Sequence, residues 1–174
     1  MAVESRSSSD AFELLGLPAR FDLDTQVIER AFFDRSKALH PDRYAQAPAA
    51  ERVAALSKSR ALNDAYQVLK KPVPRAEYLL ERAGVTIGDN ERLDPEQIMQ
   101  VLELREELAE ARQANDTVKI SALESGMQKR RSAALLELDG LFATSDWAGV
   151  KRVLINLRYI DRYLEECDAA LDED

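Results

Sequence analysis

The triplet His40-Pro41-Asp42 is the most distinctive group of reactive side chains in the sequence. An imidazole beside a carboxylate can serve as a general base, because the carboxylate orients the ring and stabilises its protonated form. A base of this kind needs a hydroxyl or thiol nucleophile within reach. No serine or cysteine adjoins the triplet, and Cys167 lies far away in sequence near an acidic tail, so an enzyme active site has little support.

Metal and cofactor chemistry is limited by the supply of ligands. The chain has one cysteine and one histidine, whereas a zinc site takes several Cys, His or carboxylate ligands at defined spacing. A glycine-rich phosphate loop is also missing from the sequence. We therefore expect no metal and no cofactor. A cysteine without an intramolecular disulfide partner is typical of a reducing compartment, and we expect the cytoplasm.

The overall charge excludes two classes of partner. The formal net charge is −8 over 174 residues, whereas general binding to nucleic acids or anionic membranes needs a basic surface. A bilayer-spanning helix needs roughly 20 apolar residues, and charged residues interrupt the sequence far more often than that. We expect neither a nucleic acid nor a membrane as partner.

Positive charge is nevertheless concentrated around the triplet. Pro41 ends the preceding helix and would hold its polar neighbours on a rigid, exposed loop. Four cations flank this loop: Arg30, Arg35, Lys37 and Arg43. Such a strip can steer an acidic partner. Ordinary helix termination and solvated helix charge, with Glu29 and Asp34 interspersed, would also account for these residues.

Capping residues and periodicity predict four helices in the first half. Asp10 can cap a short helix that ends at Gly16, and Asp24 can cap a second helix that runs to Leu39. A third helix should span about residues 49–70. It offers five apolar side chains for burial: Val53, Leu56, Leu62, Ala65 and Leu69. Pro74 suits the first turn of a fourth helix that ends at Gly84.

Composition changes near residues 85–94, which are rich in turn formers. Residues 1–84 carry 13 Lys and Arg against 12 Asp and Glu, a net charge of +1, whereas residues 85–174 carry 11 against 20, a net charge of −9. The predicted organisation is therefore a flexible tail at 1–9, one domain at 10–84, a linker at 85–94 and a second domain at 95–174.

Three amphipathic helices are predicted after the linker, and no strand pattern is convincing. Asp94 and Pro95 predict a helix start, with an end near Ala114. A second helix should follow to about Phe142. The third should begin after Ser145 or Asp146. Together they predict a three-helix bundle.

The first helix of this bundle carries two different faces. At about 100° per residue, one face can supply the core through Val101, Leu104, Leu108 and Ala111. A second face mixes apolar and acidic side chains, namely Ile98, Met99, Leu102, Glu103, Glu106 and Glu110. Tyr159 similarly lies roughly opposite the apolar face of the last helix. Mixed patches of this kind suit a protein partner, although the bundle edge and solvated charge would explain the same residues.

Three segments together resemble a J-domain. They are residues 11–18 (AFELLGLP), 30–44 (RAFFDRSKALHPDRY) and 61–72 (ALNDAYQVLKKP), and their order and spacing match that family. Residues 75–80 (RAEYLL) and 99–108 (MQVLELREEL) are similar to HscB-type co-chaperones of iron–sulfur cluster assembly. The likeness covers residues 10 to about 171. The chain departs at Leu39, where many J-domains have an aromatic residue, and lacks the amino-terminal cysteine pairs of some eukaryotic relatives.

This resemblance implies a fold, two partners and two sets of contact residues. The fold is all-α, with an amino-terminal J-domain helical hairpin joined to a carboxy-terminal three-helix bundle. His40, Pro41 and Asp42, with the four flanking cations, would contact an HscA-type, DnaK-family chaperone and stimulate its ATPase. The mixed patch and Tyr159 would bind an IscU-type iron–sulfur scaffold protein. Two alternatives stay open: a J-protein with another client, and an acidic dimerisation module whose triplet is incidental.

Overall fold

The computed structural model describes residues 10–172, which form seven α-helices and one 3₁₀ helix without any strand. The helices are α1 (Ala11–Leu15), α2 (Thr25–Ala38), the 3₁₀ helix (Pro41–Tyr44), α3 (Ala49–Leu69), α4 (Pro72–Arg82), α5 (Pro95–Gln113), α6 (Thr117–Ala143) and α7 (Trp147–Leu171). The predicted all-α fold is confirmed. The predicted tail at 1–9 lies outside the described residues.

The chain divides between Leu79 and Leu80 into two compact units. The division falls inside α4, whereas the sequence predicted a linker at 85–94, so the exact domain bounds stay a prediction. Residues 85–94 do not lack contacts, because Leu93 is buried. Glu91 pairs with Lys151 of α7 at 2.5 Å.

Local capping explains where the helices of the first unit begin and end. The Asp10 carboxylate accepts the Phe12 backbone N–H at 2.8 Å, and the Asp24 carboxylate accepts that of Gln26 at 2.8 Å. Both predicted caps are therefore confirmed. The fourth helix begins at Pro72 rather than at the predicted Pro74. Both prolines fit its first turn, where backbone N–H groups have no partner within the helix.

Aromatic contacts hold the first unit together. The Phe32 ring of α2 stacks on the Tyr66 ring of α3, with centroids 4.3 Å apart. The Tyr78 hydroxyl accepts the Ala11 backbone N–H at 2.9 Å, which fastens α1 to α4. Buried Arg75 donates to the Leu69 carbonyl at 2.8 Å. These contacts fix the frame from which the His-Pro-Asp segment projects.

The buried face of α3 differs from the predicted one. Leu62, Ala65 and Leu69 are buried as predicted, but Val53 and Leu56 are 67% and 63% exposed. The face continues toward the start of α3 through Ala55, which is buried. Val53 and Leu56 lie roughly 100° or more around the helix from that face. Because the buried residue is an alanine, which is only weakly hydrophobic, the hydrophobicity pattern does not show which face of α3 is buried.

The second unit is the predicted three-helix bundle, in which α6 and α7 make the most extensive contact. Asp116 and Asp146 cap these helices by accepting the backbone N–H groups of Lys119 and Gly149. Asp94 precedes α5 as predicted but makes no side-chain cap hydrogen bond. The core takes its largest share from α7, through Val150, Val153, Leu154, Ile155, Leu157, Ile160, Tyr163, Leu164 and Cys167.

Gly16 provides a test of how the first unit is packed. Its φ of +66° is left-handed, and the Arg35 guanidinium occupies the space that a Cβ would take. We expect Gly16→Ala to lower the free energy of unfolding by at least about 1–2 kcal/mol, the backbone cost alone. Urea denaturation followed by circular dichroism would measure this loss.

Gly126→Ala is the control, because Gly126 lies within α6 and a Cβ added there would meet nothing within 4 Å. It should stabilise its unit by about 0.5–1 kcal/mol, since alanine favours a helix over glycine. Equal effects of the two substitutions would contradict the role assigned to Gly16.

Candidate functional site

The His-Pro-Asp segment forms an exposed corner between α2 and the 3₁₀ helix. His40 precedes the first residue of that helix, and its Nδ1 accepts the Asp42 backbone N–H at 3.3 Å. The same Nδ1 lies 3.3 Å from the Asp42 carboxylate. Pro41 suits the first helical position because it has no N–H to leave unsatisfied. The His40 and Asp42 side chains are 60% and 90% exposed, so both face solvent and neither is enclosed in a cleft.

Tyr44 links this corner to the end of α2, a role that the sequence did not predict. Its hydroxyl donates to the Ala38 carbonyl at 3.4 Å, near the end of α2. The Arg43 backbone N–H donates to the His40 carbonyl at 3.0 Å. The sequence feature that could have revealed this contact is a tyrosine four residues after the histidine, at the end of a short turn.

The four flanking cations are all exposed, but the structure does not place them on one face. Arg30 and Lys37 are seven residues apart and share a face of α2. Phe33 lies between them and is 58% exposed, with the Lys37 ammonium 4.2 Å from its ring centroid. Arg35 turns instead toward Gly16 at the end of α1. Arg43 lies on the 3₁₀ helix beside the corner.

An exposed aromatic ring between two cations was not recognised as part of the site in the sequence. Phe33 falls in the same helical row as Arg30 and Lys37, at spacings of three and four residues. A cation over an aromatic face gains electrostatic stabilisation. The face therefore combines positive charge with apolar area.

The outer face of α5 carries the mixed patch predicted from sequence. Met99 and Leu102 are 57% and 54% exposed, while Leu108 and Ala111 are buried on the opposite side. Ile98 is half-buried. Three carboxylates on this face are exposed to solvent: Glu103, Glu106 and Glu110. Apolar side chains thus lie among acidic ones at the surface.

Tyr159 lies in a different setting from the rest of that set. It is half-buried and lines a cavity of about 310 Å³ between α5, α6 and α7. The cavity is also lined by Val101, Leu104, Met127, Ile160 and Tyr163. None of the six α5 residues of the mixed patch lines it. The structure therefore groups those six on one helix, whereas Tyr159 lines the cavity between the three helices.

Two long-range contacts hold α5 in register with α7. The Tyr163 hydroxyl donates to the Leu104 carbonyl at 3.1 Å, and Arg105 pairs with Glu166 at 2.9 Å. Burial, followed by the nearby Cys167, raises the pKa of the Tyr163 hydroxyl, which keeps it protonated as a donor. These contacts orient the outer face of α5, and they join residues about sixty positions apart, so no local pattern predicts them.

Cys167 is fully buried in the bundle. Burial, with a smaller contribution from Glu124, raises the pKa of its thiol to about 11. The side chain is therefore a neutral thiol at physiological pH, without the thiolate that nucleophilic chemistry needs. Among residues 10–172, no group of three His, Cys, Asp or Glu side chains is arranged to hold a metal ion. Within the same range, no helix is both long and apolar enough to cross a bilayer.

Comparisons with known proteins cover both units. Residues 10–78 match the family model of the DnaJ domain, and residues 93–168 match that of the HSCB C-terminal oligomerisation domain. The chain is 36% identical over 167 residues to a protein from Bordetella petrii named co-chaperone protein HscB homolog, covering 94% of this chain and 97% of that one.

Solved structures with the same fold agree with these matches. Chaperone HscB from Vibrio cholerae superposes with a TM-score of 0.84 at 33% identity, over 94% of this chain and 98% of that one. Human co-chaperone protein HscB gives a TM-score of 0.85 over 97% of this chain and 83% of that one. Because the human protein is only 24% identical to this chain, the similarity to it shows a shared fold and nothing further.

The separation of core and outer face on α5 can be tested by stability measurements. Leu108→Ala should lower the free energy of unfolding by about 2–5 kcal/mol, because it leaves a cavity in the bundle. Met99→Ala combined with Leu102→Ala should change it by less than about 1 kcal/mol, since both side chains are exposed. Thermal and urea unfolding would measure both. A large loss in the double variant would show that this face is part of the core.

Proposed function

The chain belongs to the HscB family of J-domain co-chaperones, and we propose that it brings an IscU-type scaffold protein to an HscA-type, DnaK-family chaperone during iron–sulfur cluster assembly and transfer. One observation carries this proposal. Each unit presents its own surface of a kind suited to a protein partner: the exposed His-Pro-Asp corner in the first, and the exposed apolar side chains among carboxylates in the second.

The first surface is proposed to stimulate ATP hydrolysis by the chaperone. His40, Pro41 and Asp42 contact the chaperone, and the chaperone itself performs the hydrolysis. A contact can accelerate that step only if it differs between two states of the chaperone and shifts their populations. A rigid corner suits this task, because little of the binding free energy is lost in ordering it.

Positive charge supports the same contact. Arg30, Lys37 and Arg43 are exposed around the corner, so they can accelerate association with an acidic surface on the chaperone. Phe33 adds apolar area between the first two of these. Arg35 is proposed at the margin of the surface, because its guanidinium turns toward Gly16.

The second surface is proposed to bind the scaffold protein. Met99 and Leu102 supply the apolar centre, Ile98 its edge, and the three glutamates of α5 an acidic rim. Tyr159 is proposed to contact the scaffold separately, from the cavity between the three helices. Apolar centres with polar rims are typical of specific protein interfaces. The acidic rim favours basic residues on the scaffold.

Carrying both sites on one chain raises the effective concentration of scaffold near the chaperone. We place this activity in the cytoplasm. The family description of residues 93–168 also names oligomerisation, and we propose that the bundle mediates contact between copies of this chain.

His40→Gln tests the chaperone surface. The variant should leave chaperone ATP turnover at its basal rate in a steady-state phosphate-release assay, because the corner loses its imidazole while the fold keeps its core. Binding to the purified scaffold, measured by calorimetry, should be unchanged. Gln46→Ala, also at an exposed position near the corner, is the control and should stimulate like the wild-type chain. Full stimulation by His40→Gln would reject the assignment.

Met99→Ala combined with Leu102→Ala tests the scaffold surface. Calorimetry should show scaffold binding weakened about 10- to 100-fold, because two apolar side chains no longer become buried. Stimulation of the chaperone by the variant alone should persist, whereas synergy between the variant and the scaffold should disappear.

Val53→Ala combined with Leu56→Ala is the matched control, since it removes a similarly exposed apolar pair from the first unit. Scaffold binding should survive this change. If the wild-type chain stimulates the chaperone but binds another client in place of the scaffold, the J-domain assignment stands and the proposed client is wrong.

A further inference from the structure

The middle of α5, which carries the mixed patch, has little support from the core of the bundle. None of residues 95–107, all of which the structure describes, is buried. Leu93 before this stretch is buried, and so are Leu108 and Ala111 after it. Apolar packing therefore fixes the chain before α5 begins and again in the last turns of the helix, whereas the middle depends on other contacts.

A cavity lies beneath this middle part. Val101 and Leu104 of α5 line the volume of about 310 Å³ between the three helices, together with Gln97 and Gln100. A side chain that borders a cavity has no packed neighbours on that side, so it gains less from dispersion contacts than a side chain in a dense core. The middle of α5 consequently has room to shift, and apolar packing alone does not fix its position.

Two polar contacts from α7 reach α5 at this level. The Tyr163 hydroxyl donates to the Leu104 carbonyl at 3.1 Å, and the Glu166 carboxylate pairs with Arg105 at 2.9 Å. Leu104 and Arg105 are adjacent in sequence, so both contacts hold the same turn of α5. That turn lies within the mixed patch, directly after the exposed side chain of Leu102. A shift of this turn would move the patch with it.

We propose that Tyr163 and Glu166 are positioning residues for scaffold binding, which hold the middle of α5 in the orientation that the scaffold recognises. The proposal rests on the scaffold site proposed above and adds two α7 residues that lie outside that site. Tyr163 is 2% exposed, so its hydroxyl acts through α5. A surface that is already ordered loses less free energy on binding, whereas a surface that shifts binds only during the fraction of time it is competent.

Tyr163→Phe is the first test, because it removes one hydroxyl and keeps the buried ring. The Leu104 carbonyl keeps the N–H four residues further along α5 as its donor, so the change leaves no carbonyl without a partner. Hydrogen exchange of the free full-length chain should become faster in residues 98–107 and stay unchanged in α6 and α7. Calorimetry with a purified IscU-type scaffold should show binding weakened about 3- to 10-fold.

Tyr78→Phe is the matched control. The Tyr78 hydroxyl accepts the Ala11 backbone N–H at 2.9 Å in the first unit, so this change also removes one tyrosine hydroxyl from a long-range bond to the backbone. Scaffold binding and hydrogen exchange in residues 98–107 should both equal those of the wild-type chain.

Glu166→Gln is a second, independent variant, because it removes the charge that pairs with Arg105 and leaves Tyr163 in place. Exchange should become faster in the same segment of α5, and scaffold binding should weaken about two- to fivefold. Glu165→Gln, at the neighbouring exposed position of α7, is the control for charge. It changes the net charge equally and should bind the scaffold like the wild-type chain.

Each outcome decides the proposal. Unchanged scaffold binding in either folded variant overturns the role of that residue, and weaker binding without faster exchange in residues 98–107 overturns positioning as its cause. Circular dichroism identifies folded variants, and if Tyr163→Phe does not fold, Glu166→Gln with its control decides. A wild-type chain that binds no scaffold overturns the proposed client together with this role, whereas wild-type binding that both variants retain overturns this role alone.

Discussion

Pro41 is the constraint on which the first unit's surface depends. Its ring and missing N–H prevent α2 from continuing, and its fixed φ suits the first position of the 3₁₀ helix that follows. The chain therefore turns sharply between two polar residues, which stay within 3.3 Å of each other at the protein surface. The stacked Phe32 and Tyr66 rings hold the supporting helices. A flexible loop with the same side chains would have to be ordered at each encounter, at an entropic cost.

The two units expose surfaces of different physical character. The first has nearly balanced charge overall but concentrates cations near a rigid corner, which favours fast and reversible encounter. The second is strongly acidic and exposes apolar side chains among carboxylates on α5, a combination suited to affinity through burial and to selection through charge.

Most helix bounds could be predicted from residues close together in sequence. The predictions that failed depend on which helix face packs against distant parts of the chain. Caps such as Asp10, Asp24 and Asp146 mark helix starts because they bind backbone N–H groups two or three residues away. The rotation of α3 was missed because Ala55, a weakly hydrophobic residue, lies on its buried face in place of Leu56. The cavity beside Tyr159 and the bond from Tyr163 to Leu104 depend on residues distant in sequence, so periodicity along one helix does not reveal them.

Cys167, the single cysteine of the sequence, is not accessible as a ligand for iron. Because the Cys167 thiol is buried and its pKa is raised to about 11, it presents no thiolate to iron at neutral pH, and thiolate is the form that binds such metals. This burial suits a co-chaperone of iron–sulfur cluster assembly. A buried neutral thiol does not compete for iron and is protected from oxidation.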